Sequence, residues 1–327
     1  TAAAAASFSA GPGVFIDGAN NNTVGGAQAG AGNVIGNGTN GVVISDSSNC
    51  VVQRNFIGTN AAGTAAIPNA NSGVQIKVVF GAATGNLIGG ASGGTGNVIS
   101  GNFGDRVNIS FAQGNTVRGN LIGVAADGTS QLSNHAHGVN ISFGNNNAIG
   151  GTAAGEGNVI AFSGRPGAND RGNGVQINNG AGNSVRGNSL YSNGNPSVPS
   201  TDRSIALAFN LPPNDSCDGD AGANNLQNFP VITSALSSAS STAIAGTLNS
   251  TANSTFAIDF FANATCHGSG YGEGQTYLGS TTVTTDENCN GNFNVTLPVG
   301  LPAGQSVITA TATDANGNTS EFSFCAT

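Results

Sequence analysis

The sequence predicts an all-β chain in two parts, a parallel β-helix followed by an immunoglobulin-like β-sandwich. Three observations carry this: a Gly-Val-x-Ile phrase that returns along the first two thirds, short apolar pairs led by Asn between its returns, and a final third made of alternating apolar runs. The phrase appears first as Gly13-Val14-Phe15-Ile16 and Gly41-Val42-Val43-Ile44, then at 73–76, 138–141 and 174–177. Arg106-Val107-Asn108-Ile109 fills the one gap, giving steps of 28, 32, 33, 32 and 36 residues.

Within each step two further pairs follow an Asn, as in Asn86-Leu87-Ile88 and Asn97-Val98-Ile99, so each repeat holds three short strands. A period near this length without helical spacing marks a solenoid whose coils stack. Strand side chains alternate, so matched Val and Ile point inward onto their equivalents one coil away. Gly and Asn suit the corners because both tolerate a left-handed backbone, and Asn at the same corner of successive coils can hydrogen-bond along the stack. The β-helix is expected over residues 1–210, with a short segment 1–12 and then about six coils.

An acidic linker is expected at 211–229 and the sandwich at 230–327. Seven strands are read there, at 231–236, 242–248, 255–261, 277–284, 293–297, 307–313 and 320–324, a number that suits an immunoglobulin-like sandwich. Cys266 ends the third strand and Cys325 the last, placing both at one end; Cys217 and Cys289 fall at the other. The expected disulfides are therefore Cys266 with Cys325 and Cys217 with Cys289, which implies export to an oxidising compartment. Cys50 is expected as a free thiol facing outward on the solenoid wall.

Charge is sparse and uneven. Only 7% of the 327 residues are charged, and the formal net charge is −8. All eight Lys and Arg lie at or before Arg203; from Ser204 onward there are nine acidic residues and no basic one. Such a surface favours cations over nucleic acid or anionic lipid. No apolar run is long enough to span a membrane, and segment 1–6 is too short and uncharged for an intact signal peptide.

The residues resemble a known group. The alternation of Asn86-Leu87-Ile88-Gly89-Gly90 and the Asn97 coil with the coil at 115–123 is similar to bacterial secreted right-handed parallel β-helix repeat proteins, which often carry an N-terminal CSLREA domain. Asn224-Asn225-Leu226-Gln227-Asn228-Phe229-Pro230-Val231, Gly270-Tyr271-Gly272-Glu273-Gly274 and Thr319-Ser320-Glu321-Phe322-Ser323 resemble the sandwich module that follows those repeats. The resemblance covers nearly the whole chain and implies a secreted or surface protein of mostly unassigned role; the CSLREA segment is missing here.

Catalysis on a β-helix, as in pectate lyases and polygalacturonases, needs paired carboxylates or a calcium cluster beside a base. The solenoid offers Asp17, Asp46, Asp105, Asp127, Glu156 and Asp170, about one per coil. Asp17 and Asp46 follow the same strand in adjacent coils but are offset by one residue, which turns them to opposite faces. The loop at 165–171 with Asp202 and Arg203 reads as a surface loop with paired charges. His135 and His137 lack a third ligand for a metal and read as a polar corner.

The strongest chemical site is Asn214, Asp215, Asp218, Asp220 and Asn224, hard oxygen ligands in a Gly- and Ser-spaced loop that suit a structural calcium. The favoured function is an extracellular structural or cell-surface protein without catalytic activity, a fibre subunit or adhesive stalk. The alternatives are a carbohydrate-active enzyme of the pectin-lyase-like type and a glycan-binding adhesin. Head-to-tail self-association is expected through the Ala-rich segment ahead of Gly13, with Phe8 adding a strand to a neighbour.

Overall fold

The computed structural model describes residues 9–133, 135–164, 172–194, 203–207 and 213–327. Phe8, Asp170, Asp202 and the loop at 165–171 lie outside the described residues. Among the described residues the first part is a parallel β-solenoid of three sheets. The first sheet stacks Val14–Asp17, Val42–Ser45, Val74–Lys77, Val107–Ser110, Val139–Ser142, Val175–Ile177 and Ile205–Leu207. The second stacks Thr23–Gly25, Val51–Gln53, Leu87–Gly89, Thr116–Arg118, Ala148–Gly150 and Ser184–Arg186, and the third runs from Val34–Ile35 to Ser189–Tyr191.

The register explains the core. Val14, Val42, Val74, Val107, Val139, Val175 and Ile205 pair in one row, and Ile16, Ile44, Ile76, Ile109, Ile141, Ile177 and Leu207 in the next inward row. From the second coil on, the members of both rows are at most 1% exposed. The phrase at Arg106 is thereby in register with its neighbours.

The Gly that opens the phrase is there for close approach rather than for backbone freedom. A Cβ on Gly41 would meet the Gly73 carbonyl oxygen at 2.4 Å and Ile57 Cγ2 at 2.5 Å. Arg106 takes this position in the fourth coil and is fully buried. Its Nη1 donates to the Ala136 carbonyl and Ser163 Oγ and its Nη2 to the Phe162 carbonyl, while desolvation lowers its pKa to about 9.

Among the described residues asparagine ladders satisfy buried corners, a short one linking Asn69 to Asn102 and two long ones. At one, Asn33 donates to Asn55, Asn55 to Asn97, Asn97 to Asn120, Asn120 to Asn158 and Asn158 to Asn188, each through backbone N and side-chain Nδ2 onto one Oδ1. At the other, Asn86, Asn115, Asn147 and Asn183 repeat the arrangement. Buried backbone N–H groups that face no strand partner are thus paired.

Cys50 corrects the expectation of an outward thiol. It is fully buried in the solenoid core, because Thr23 pairs with Val51 and Val24 with Val52, one residue later than the apolar spacing suggested. Cys50 therefore stands in the second ladder, its N–H donating to Asn86 Oδ1 at 2.8 Å, while Asn49 is displaced into a left-handed turn with φ 57°.

The C-terminal part has two three-stranded antiparallel sheets, Val231–Ser237, Thr242–Asn249 and Asn290–Leu297 in one, Thr276–Thr284, Thr255–Asn263 and Val307–Thr313 in the other. They share one core that includes Ile244, Leu248, Phe256, Phe260, Phe293 and Ile308. Six of the seven expected strands form, and 320–324 does not. It lies along Val307–Thr313, but the N–H groups of Ala310 and Ala312 donate to Ser323 Oγ and Ser320 Oγ, which take the place of strand partners. Both expected disulfides are formed, Cys217–Cys289 and Cys266–Cys325.

Candidate functional site

The acidic loop brings three of its five expected ligands together. Asp215, Asp218 and Asp220 each place a carboxylate oxygen within 4.8 Å of the others. Asp218 is held by Ser250 Oγ, Gln227 Nε2 and the Asn228 N–H. Asp215 Oδ1 and Asp220 Oδ1 are buried without a hydrogen-bond partner. Burial, aided by the neighbouring carboxylates, pushes Asp218 up to about 6, and Asp220 is raised by burial and then by Asp215. Close carboxylates with idle oxygens form a donor set that a hard divalent cation suits.

The other two expected ligands are used elsewhere. Asn214 pairs both ways with the backbone of Phe229, donating at 2.8 Å and accepting at 3.0 Å. Asn224 is fully buried and ends the second asparagine ladder: its Oδ1 accepts the Asn183 N–H, and its Nδ2 donates to the carbonyls of Asn183 and Thr319. Residues 213–229 of the segment read as a linker are therefore tied down, and Asn224 carries solenoid bonding into the C-terminal part.

That junction is the most heavily bonded polar region the sequence did not reveal. Asp259, fully buried, accepts from Arg186 Nη2 at 2.6 Å and Nε at 2.9 Å. Glu321, 2% exposed, accepts the Leu207 N–H at 2.8 Å and Arg203 Nη1 at 3.3 Å. Burial pushes Glu321 up to about 7. Glu273 accepts from the N–H groups of Ser192 and Asn193 and from Ser204 Oγ; burial raises its pKa as well. Leu190 and Gly274 exchange backbone hydrogen bonds, and Phe261 and Phe322 join the solenoid core. The segments around Asn224, Glu273 and Glu321, which carried the resemblance to a sandwich module, are the ones that close the last coil.

Along the solenoid Asp46, Asp105, Asp127 and Glu156 are spent on local structure, while Asp17 is exposed at the end of the first strand. Asp46 accepts the N–H groups of Val79, Phe80 and Gly81, which lowers its pKa and holds Phe80 97% exposed. Asp105 accepts Asn108 and Asn140 side chains and the His137 N–H. Asp127 caps its own turn, and Glu156 pairs with Arg118 at 2.8 Å. His137 Nδ1 accepts the Asn173 N–H, and the His135 ring lies 4.8 Å from that of Phe103.

These features define a parallel β-solenoid closed at its C-terminal end by an antiparallel β module. No family model matches the chain, and no curated protein matches it. Two chains of known structure match. One is the enzymatically active domain of tailspike protein 2 of bacteriophage CBA120, at 10% identity and a TM-score of 0.26. The match covers 95% of this chain and 55% of that one. No helix among the described residues is long and apolar enough to cross a membrane.

Proposed function

We propose that this chain is an exported structural or cell-surface protein, a rigid and non-catalytic rod of the right-handed, CSLREA-associated type that ends in an immunoglobulin-like module. The junction carries the reading. A ligand-gripping or hinged pair of domains would meet through a small, wet interface. Here buried ion pairs, a shared apolar core and a continuous asparagine ladder join the two parts, so force along the axis passes through both. The two disulfides favour an oxidising, extracellular setting, and the structural duties of Asp46, Asp105, Asp127 and Glu156 support a non-catalytic role. The test is incubation with a panel of neutral and acidic polysaccharides. Release of reducing ends or unsaturated products would overturn the reading; intact substrates together with rods in electron micrographs support it.

Two further parts belong to this proposal. Calcium at Asp215, Asp218 and Asp220 would satisfy the idle oxygens and raise stability by mass action; a melting curve unchanged by excess chelator removes it. Head-to-tail association would use the first coil, whose outer strand edges have no partner among the described residues and whose end holds a cavity of about 540 Å³ lined by Val14, Val24, Val34 and Ile35. Val34 is 49% exposed there. Val34→Lys is expected to abolish assembly seen by sedimentation; assemblies unaffected by it would sink this part.

A further inference from the structure

A second site lies where the solenoid corner meets the turn that follows Val307–Thr313. It is a pocket of about 360 Å³ whose polar lining is six carboxamides, Gln113, Asn145, Asn146, Asn225, Asn316 and Asn318. They come from two successive coils, the turn at Ala223–Leu226 and the turn at 314–318, which the chain brings together only when the module closes the solenoid.

The frame of the pocket is rigid. Asn318 Oδ1 accepts the Gly182 N–H at 2.6 Å, and Asn318 Nδ2 donates to Asp314 at 2.8 Å. Asn145 Oδ1 accepts the Ala181 N–H at 2.9 Å. Asn146 and Asn225 are held in left-handed backbone with φ 55° and 54°, a conformation Asn tolerates and most residues do not. By contrast, the amide nitrogens of Gln113, Asn145, Asn146 and Asn225 donate to no protein group among the described residues. These four exposed amides share the lining of one concavity, with no acceptor for their nitrogens among the described residues.

The chemistry of the lining selects the ligand. No charged side chain lines the pocket; the nearby Asp314 turns into its own loop and accepts the N–H groups of Asn316 and Asn318. A phosphate, a carboxylate or a metal ion would find no opposite charge, and an apolar ligand would strand the amides at a desolvation cost. A carboxamide offers a donor and an acceptor side by side, which matches adjacent hydroxyls. Two residues before Gln113 and Asn145 stand Phe111 and Phe143, 58% and 54% exposed, their rings stacked at 4.9 Å. The pair is not part of the pocket's lining but offers, next to it in sequence, an exposed apolar surface of the kind the C–H groups of a sugar ring need. The volume falls in the roughly 300–1,000 Å³ range of small-ligand sites.

We infer that this pocket binds an uncharged oligosaccharide. The site goes beyond the scaffold role and stands whether or not the chain forms fibres. The test uses the whole chain on an array of immobilised neutral oligosaccharides (glucan, mannan and galactan fragments) and acidic ones (uronate and sulfated fragments). Gln113→Ala with Asn225→Gly removes two free amides while keeping the left-handed turn; Gln28→Ala, an exposed amide at the far end, is the control. Binding to a neutral fragment that the double variant weakens by about tenfold, with melting unchanged and the control unaffected, supports the site. Retention of acidic fragments alone, no retention of any neutral fragment, or equal binding by the double variant overturns it. Loss of the scaffold reading through observed polysaccharide cleavage would leave this result independent, since the double variant touches none of the carboxylates.

Discussion

Removing one rung of an asparagine ladder tests the account of what holds the solenoid together. Asn115 is fully buried. Its Oδ1 accepts the Asn86 N–H at 3.0 Å and Asn86 Nδ2 at 2.9 Å. Its Nδ2 donates to the carbonyls of Ala83 and Gln113, both at 3.1 Å, and to Asn147 Oδ1 at 3.2 Å. In Asn115→Ala, Asn86 Nδ2 keeps the Ser47 carbonyl and Asn147 Oδ1 keeps the Asn115 N–H. The Asn86 N–H and the Ala83 carbonyl lose the partners named here. Each orphaned buried group costs about 1–3 kcal/mol, so the expected loss is about 4 kcal/mol in urea unfolding followed by circular dichroism. Asn115→Asp keeps the accepted bonds but faces a carboxylate against two carbonyls. It should be worse at neutral pH and recover as acid protonates it. Asn22→Ala, at the exposed start of the same corner, should cost under about 0.5 kcal/mol. An Asn115→Ala loss below about 1 kcal/mol would refute the ladder as a source of stability.

The remaining predictions follow from the junction and the cysteines. Because burial raises Glu321 from 4.5 to about 7, the folded chain keeps a proton that the unfolded chain has released. This contribution is full below about pH 4.5 and fades as pH rises through 7, by about 3 kcal/mol at most. Glu321→Gln should flatten that slope, and a variant with the wild-type pH profile would contradict it. Asp259→Ala leaves Arg186 without its buried partner and should cost about 3 kcal/mol, splitting unfolding into two transitions; a single unshifted transition would count against a coupled junction. Reducing Cys266–Cys325, which spans 59 residues, should cost about 4 kcal/mol, and alkylation of Cys266 in the intact native protein would contradict the pairing. Cys50, buried in the core, should resist maleimide until the solenoid unfolds.

What the sequence disclosed and what it hid divide along a physical line. Repetition made the solenoid legible, since each coil samples the same environment and the Val and Ile rows had to align for any one of them to be buried. Where a coil departs from the repeat, local spacing misleads. Asn49-Cys50-Val51 reads as an Asn-led pair like its neighbours, yet the adjacent strands set the register, and it places the thiol where an amide belongs. The disulfides were legible because strand order alone assigns both ends of an antiparallel module. Asn224 was not, because its partner Asn183 is 41 residues away and belongs to the last rung of a ladder whose end cannot be located from the repeat. Glu321 and Asp259 were hidden for the same reason: each sits in a run of β residues, and only the docking of the module on Arg203 and Arg186 turns them into buried partners. The amide pocket is the extreme case. Its residues are five Asn and one Gln, of the kind any β-rich chain scatters through its corners. What makes these six a site is that one pair of coils and two turns close on the same space.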